Sequence, residues 1–267
     1  MSSTTRNVVF LILVIFGMSD AWSEAEAQSA SEKGLEIARA AHNNDTGFGN
    51  LRADMTMILR DRRGQENKRS IRIQVLEVPN DGDKVLFVFD NPRDVKGTAF
   101  LTHGHRIKPD DQWLYLPALK RVKRISSSNR SGSFMGSEFS YQDLNYPEVE
   151  KYSYTWLKDE KCGELICSVT EWVPVEKGSG YTRQLVWHDT KEYRIIKVEY
   201  FDRRNSHLKT LTYEGYNQYL GEFWRADKQF MVNHVTGKST DLIWSNFEFK
   251  TDMNERDFSQ AGLRRVR

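Results

Sequence analysis

From residue 51 onward, apolar and polar residues alternate. Leu51, Ala53, Met55, Met57 and Leu59 fall on one face and Arg52, Asp54, Thr56 and Arg60 on the other, the period of a half-buried strand. Arg62-Arg63-Gly64 supplies a turn, and Ile71, Ile73 and Val75 then alternate with Ser70, Arg72 and Gln74 in a second strand. Asn80-Asp81-Gly82-Asp83 turns the chain into a third strand at 85–89. The same grammar recurs at 97–103, 112–116, 120–125, 152–157, 165–172, 181–188, 194–201, 208–213, 229–235 and 242–249. Short strands separated by turn-sized gaps, without strand–helix–strand alternation, predict a mainly β (α+β) fold made as an antiparallel meander. Upstream, Ser31 can cap a helix running to about His42 with Leu35, Ile37, Ala38 and Ala41 as its apolar stripe. Downstream, residues 252–267 carry Phe258 and Leu263 among charges and predict a short helix or tail.

The first 27 residues read as an address. Arg6 gives a positive start, residues 8–18 form an apolar run of 11, and small residues offer cleavage after Ser23 or Ala27. Eleven helical residues span only about half of a ~30 Å hydrocarbon core, so export and removal of 1–27 is expected rather than an anchor. No cysteine follows the run to take a lipid. The predicted organisation is a signal peptide, 1–27, and one domain, 28–267.

Composition narrows the functional classes. With 39% apolar and 28% charged residues, the 267-residue chain can bury a substantial core, and its formal charge of +2 does not suggest a nucleic-acid partner. Without residues 1–27, which hold Arg6 against Asp20, Glu24 and Glu26, the charge becomes +4. Cys162 and Cys167, five apart in what reads as a hairpin, predict a disulfide in an oxidising compartment. No catalytic constellation stands out. Gly132-Ser133-Phe134-Met135-Gly136 is not a nucleophile elbow. His103 and His105 lack a third ligand and read as exposed turn histidines, and His188-Asp189 as turn chemistry. Walker and dinucleotide motifs are missing, so no enzyme activity, metal or cofactor is expected.

Two segments stand apart. Residues 126–145 are rich in Ser and Gly yet carry Phe134, Met135, Phe139 and Tyr141, which suits either a mobile lid or a strap that packs its aromatics on the sheet. Lys120, Arg121, Lys123 and Arg124 form the densest basic run. On a strand they divide between both faces and read either as a charged edge or as a docking patch for anionic lipid or an acidic partner.

Trp113-Leu114-Tyr115-Leu116-Pro117, followed by the basic run and by Gly132-Ser133-Phe134-Met135-Gly136-Ser137-Glu138-Phe139, Tyr141 and Asp143-Leu144, resembles a bacterial family. It is similar to the LolA-like outer-membrane lipoprotein-sorting proteins, in the longer branch that includes a spirochaete lipoprotein of unknown role. The similarity runs from about Gly34 to Arg265.

The resemblance implies an incomplete β-barrel: a strongly curved antiparallel sheet whose concave apolar face is covered by helices. It also implies a periplasmic carrier or chaperone that shields the acyl chains of lipoproteins or lipids on their way towards the outer membrane, with transient membrane contact. Members of the branch are often associated with RND-type inner-membrane exporters, so a non-enzymatic exporter subunit that binds protein is the alternative. Leu51, Met55, Met57, Ile71, Ile73, Val85, Phe87 and Phe89 are the candidate cavity residues. The competing expectation is that helices plug this face and leave an ordinary core. Phe134, Met135, Phe139 and Tyr141 are the candidate gate, and Lys120, Arg121, Lys123 and Arg124 the candidate docking residues.

Overall fold

Period-two alternation resolves into thirteen strands among the described residues. The structure, a computed structural model, describes residues 9–145 and 147–265, with side chains from residue 27 onward. The first six strands are β1 (Asn50–Arg60), β2 (Glu66–Leu76), β3 (Lys84–Asn91), β4 (Ala99–His103), β5 (Asp111–Leu116) and β6 (Arg121–Ile125). The other seven are β7 (Tyr152–Cys162), β8 (Leu165–Pro174), β9 (Tyr181–Asp189), β10 (Ile195–Asp202), β11 (His207–Tyr219), β12 (Phe223–Asn233) and β13 (Ser239–Phe249). Of the leader, residues 1–8 and the side chains of 9–26 lie outside the described residues. The backbone of 9–27 belongs to helix α1 (Val9–Asp45). Among the described residues, no helix is long and apolar enough to cross a membrane.

All thirteen strands belong to one sheet, ordered β6-β5-β4-β3-β2-β1-β13-β12-β11-β10-β9-β8-β7. Every neighbouring pair but one is consecutive in sequence. The exception joins the first strand to the last, with Leu51 opposite Phe249 and Leu59 opposite Thr240. The chain thus meanders out to the β6 edge, crosses to the β7 edge in one long connection, and returns to the middle. The result is an open, curled antiparallel sheet, the meander predicted by the alternation and the incomplete barrel implied by the family resemblance.

The inward face carries the main core, including Leu51, Met55, Met57, Ile71, Ile73, Val85, Phe87 and Phe89, each at most 3% exposed. Strand β3 is buried on both sides. Its outward Leu86 and Val88 join Ala99, Leu101 and Trp113 beneath Phe258 and Leu263, which sit in a 3-10 turn (Glu255–Phe258) and in α2 (Gln260–Leu263). A strand covered twice has no polar face to alternate with, which is why 85–89 reads as an unbroken apolar run.

The expected helix from Ser31 to His42 is the distal part of the longer α1. Ser31 lies inside it because the preceding Ala- and Glu-rich residues are themselves good helix formers. The helix lies on edge strand β7. At Gly34 a Cβ would stand 2.8 Å from the Trp156 backbone nitrogen, so glycine permits the close approach, and Lys33 caps the Trp156 ring at 3.5 Å. The two sheet edges are therefore blunted differently, β7 by a helix and β6 by the exposed charges of Arg121, Lys123 and Arg124. Lys120 lies outside the strand expected at 120–125. It has a left-handed backbone, φ 49°, closing the 3-10 turn Pro117–Leu119.

Cys162 and Cys167 form a disulfide across the β7–β8 turn, with Cα atoms 5.9 Å apart. So short a loop contributes ~2 kcal/mol by chain entropy. Replacing both cysteines with alanine is expected to lower the urea unfolding free energy by about that amount, and an unchanged midpoint would contradict it.

Candidate functional site

The connection from β6 to β7 runs through the hollow of the sheet. Phe134 is fully buried, with its ring centroid 5.2 Å from Phe100, 5.8 Å from Phe87 and 5.9 Å from Phe89. Phe139 is buried beside it, while Met135 and Tyr141 are half-buried against the same cluster. The strap is pinned across the sheet. Arg69 on β2 donates to the Met135 carbonyl, Glu138 N–H donates to Thr240 Oγ1 on β13, and Asn233 on β12 donates to the Glu138 carboxylate.

The strongest tie is the pair Lys209–Asp143, 2.6 Å apart and at most 4% exposed on either side. Lys209 also donates to the Glu138 carbonyl at 2.9 Å, and the Tyr181 hydroxyl donates to Asp143 at 2.7 Å. Burial opposes the Lys209 charge, but the neighbouring Asp143 carboxylate and Tyr181 hold its pKa above the usual lysine value. Nothing in the alternation pattern signals Lys209, because its partner is 66 residues away on a segment without a period.

The strap and α1 leave part of the hollow unfilled. A cavity of about 710 Å³ opens between the sheet, the C-terminal end of α1 and residues 139, 143–145 and 147–149 of the strap. Small-molecule sites span ~300–1,000 Å³. Of the residues singled out in the sequence, Leu51, Ile73, Val85 and Phe87 line it. Met55, Met57, Ile71 and Phe89 lie in the same core but away from its wall, and of the strap aromatics only Phe139 reaches it.

The exposed Lys120, Arg121, Lys123 and Arg124 are on the β6 edge, not at the cavity, and Arg124 pairs with Asp111. His103 and His105 are not exposed turn residues. His103 Nε2 meets the Phe258 carbonyl at 2.7 Å, and the His105 ring bridges Asp81 and Asp111 at 2.9 and 3.2 Å. Among the described residues, no group of three or more His, Cys, Asp or Glu is placed to hold a metal ion.

The cavity also has polar walls that alternation did not reveal. Asp189 is a turn residue as expected, accepting the N–H groups of Lys191, Glu192 and Arg194. His188 is not. It is fully buried in the cavity wall, stacked on Trp172 at 5.7 Å, and neither ring nitrogen has a hydrogen-bond partner among the described residues. Burial pushes its pKa down to about 4, so the ring is neutral at physiological pH.

Where the β2–β3 turn meets the residues after α1, the Glu77 carboxylate accepts the N–H groups of Gly47, at 2.7 Å, and Gly49. Both glycines have positive φ, 99° and 76°, which the tight turn requires. Asp83 and Glu148 stand at this end of the cavity. Burial, with the charges of Glu77 and Glu148, pushes Asp83 up to about 7. Burial pushes Glu148 up to about 7 against the opposing charges of Lys151 and Arg106, with Glu150 and Asp110 adding to the rise. An unfolded carboxyl loses its proton near ~4, so what these two groups contribute to stability is lost as pH rises through about 7.

A family model described as "uncharacterized protein" matches residues 81–265. No curated protein matches the chain. Among solved structures, a domain from Vibrio parahaemolyticus described as an outer membrane lipoprotein-sorting protein is 53% identical. The match covers 88% of this chain and 99% of that one, with a TM-score of 0.86. A DUF1329 family protein from Desulfovibrio piger is 26% identical over 88% and 99% of the two chains, with a TM-score of 0.84. A LolA superfamily protein from Nitrosomonas europaea, 22% identical over 88% and 98%, shares the fold with a TM-score of 0.65. With such identity over nearly the whole of the Vibrio domain, this chain belongs to the same outer-membrane lipoprotein-sorting protein family, and its curled sheet around an apolar hollow has the LolA-like fold.

Proposed function

We propose that this protein is a non-catalytic periplasmic carrier that takes acyl chains of a lipoprotein or lipid into the 710 Å³ cavity and moves them towards the outer membrane. The cavity carries this reading, because a packed core would leave no such space. Moving an acyl chain through water costs ~0.8 kcal/mol per methylene, so a carrier has to enclose it in an apolar wall. Leu51, Ile73, Val85 and Phe87 offer that wall, and Met55, Met57, Ile71 and Phe89 back it. Access is by the end bounded by α1 and the β2–β3 turn, since Phe134, Met135 and Tyr141 are held in the core. In this reading residues 1–27 direct export and are removed, which suits the disulfide in 28–267. Lys120, Arg121 and Lys123 supply a transient contact with an anionic membrane surface.

Native mass spectrometry of protein purified from its own envelope tests the proposal. Wild-type protein is expected to carry lipid. Ala226→Trp, which fills the cavity, and Val85→Glu, which charges its wall, are expected to reduce that fraction at least tenfold. Arg63→Ala, on an exposed turn, is the control expected to load normally. Thermal melts distinguish lost loading from lost folding. Wild-type protein that is always bare, or equal loading of all variants, would overturn the carrier assignment.

A further inference from the structure

The charged end of the cavity restricts what kind of molecule fits. Glu148 is only 7% exposed and lines the cavity, yet its carboxyl makes no hydrogen bond among the described residues. Asp83 and Glu77 line the same end. The cations nearby are already matched. Arg106 pairs with Glu150, Lys151 with Asp110, Arg194 with Asp189 at 2.8 Å, and Arg225 with Asp45.

We propose that Glu77, Asp83 and Glu148 form a subsite for the protonated amine of an amine-headed amphiphile whose tail occupies the apolar cavity. The proposal rests on the carrier reading and adds the class of head group. An ammonium supplies three N–H donors and a positive charge, which are what a buried carboxyl without a hydrogen bond lacks. A carboxylate or other anionic head placed there would face like charges at low dielectric.

The near-neutral proton affinity of Asp83 and Glu148 agrees with this, because each carboxyl is costly to ionise without a counter-charge. The charged groups around Glu148 include Lys151, Arg106, Glu150, Asp110 and Asp83, those around Asp83 include Glu77, Glu148 and Asp45, and His42 lines the same cavity beside Asp45 and Glu150. Lys151 and Arg106 both have their own carboxylate partners. An alkyl ammonium stays charged to about pH 10. Its binding therefore strengthens as pH rises through 7 and the two carboxyls ionise.

The test displaces the neutral dye Nile red from delipidated full-length protein with dodecylammonium, dodecanol or dodecanoate, each kept below its micelle concentration. At pH 8 the amine is expected to displace the dye at a concentration at least tenfold lower than the alcohol, and the carboxylate to be weakest. That advantage is expected to shrink at pH 5.5. Asp83→Asn combined with Glu148→Gln should bring the amine to the level of the alcohol, while the exposed-turn variant Arg63→Ala should leave displacement by all three amphiphiles unchanged. Equal displacement by amine and alcohol in the wild type, or an amine preference that survives in the double variant, would overturn the subsite while leaving the carrier reading standing. Failure of all three amphiphiles to displace the dye would sink both.

Discussion

Replacing Lys209 with methionine is expected to lower the unfolding free energy by about 3–5 kcal/mol, the range for removing one partner of a buried ion pair. Among the described residues, the variant leaves the Asp143 carboxylate, with its side chain 2% exposed, only the Tyr181 hydroxyl and the Ser140 N–H as hydrogen-bond donors. It also removes the donor to the Glu138 carbonyl and the cation 5.2–5.3 Å from the Tyr200 and Tyr181 rings. Urea denaturation measures the loss directly. Lys209→Met together with Asp143→Leu should recover part of it, since no unpaired charge then remains buried, but not all, because Asp143 also accepts the Ser140 N–H at 2.7 Å. A single variant within about 1 kcal/mol of wild type would show that the strap does not depend on this tie.

Phe134→Ala is expected to cost about 3–5 kcal/mol as well, by a different route. The ring is fully buried and touches Phe87, Phe89, Phe100 and Tyr141, so truncation opens a void between the strap and β3. The loss should appear in the midpoint of urea unfolding and in faster proteolysis at Arg130, on the same strap. Since Phe134 does not line the 710 Å³ cavity, amphiphile binding below the unfolding transition should change little. A variant as stable as wild type would place the strap outside the cooperative core.

These two residues mark the limit of what alternation reveals. Phe134 was visible as apolar cargo in a Ser- and Gly-rich loop, but the sequence left open whether that loop swings or packs. Its packing depends on Phe87, Phe89 and Phe100 sharing the inner face of two adjacent strands. Lys209 was invisible. In β11 it occupies an inward position, opposite Asn233, where a lysine would ordinarily break the apolar pattern, and only the strap crossing the hollow supplies its counter-charge. Likewise, Glu148 and Asp83 are 65 positions apart and meet only because the strap ends beside the β2–β3 turn. His188 looked like half of a turn dipeptide because its neighbour Asp189 is one, and its burial comes from the curl that brings β9 round the cavity.

What the sequence determined on its own was local. The thirteen strands, the hairpin joining Cys162 to Cys167 and the apolar inner face follow from period-two patterning and turn residues, and the presence of a helix before β1 from an apolar stripe at helical spacing, signals that act over a few positions. The motif run from Trp113 to Leu144 added the family. The tertiary structure decided the pairing of β1 with β13, the double burial of β3, the path of the strap and the size of the space it leaves. Each of these depends on side chains tens to hundreds of residues apart meeting inside a curled sheet, where shape and desolvation, rather than local period, determine which groups touch.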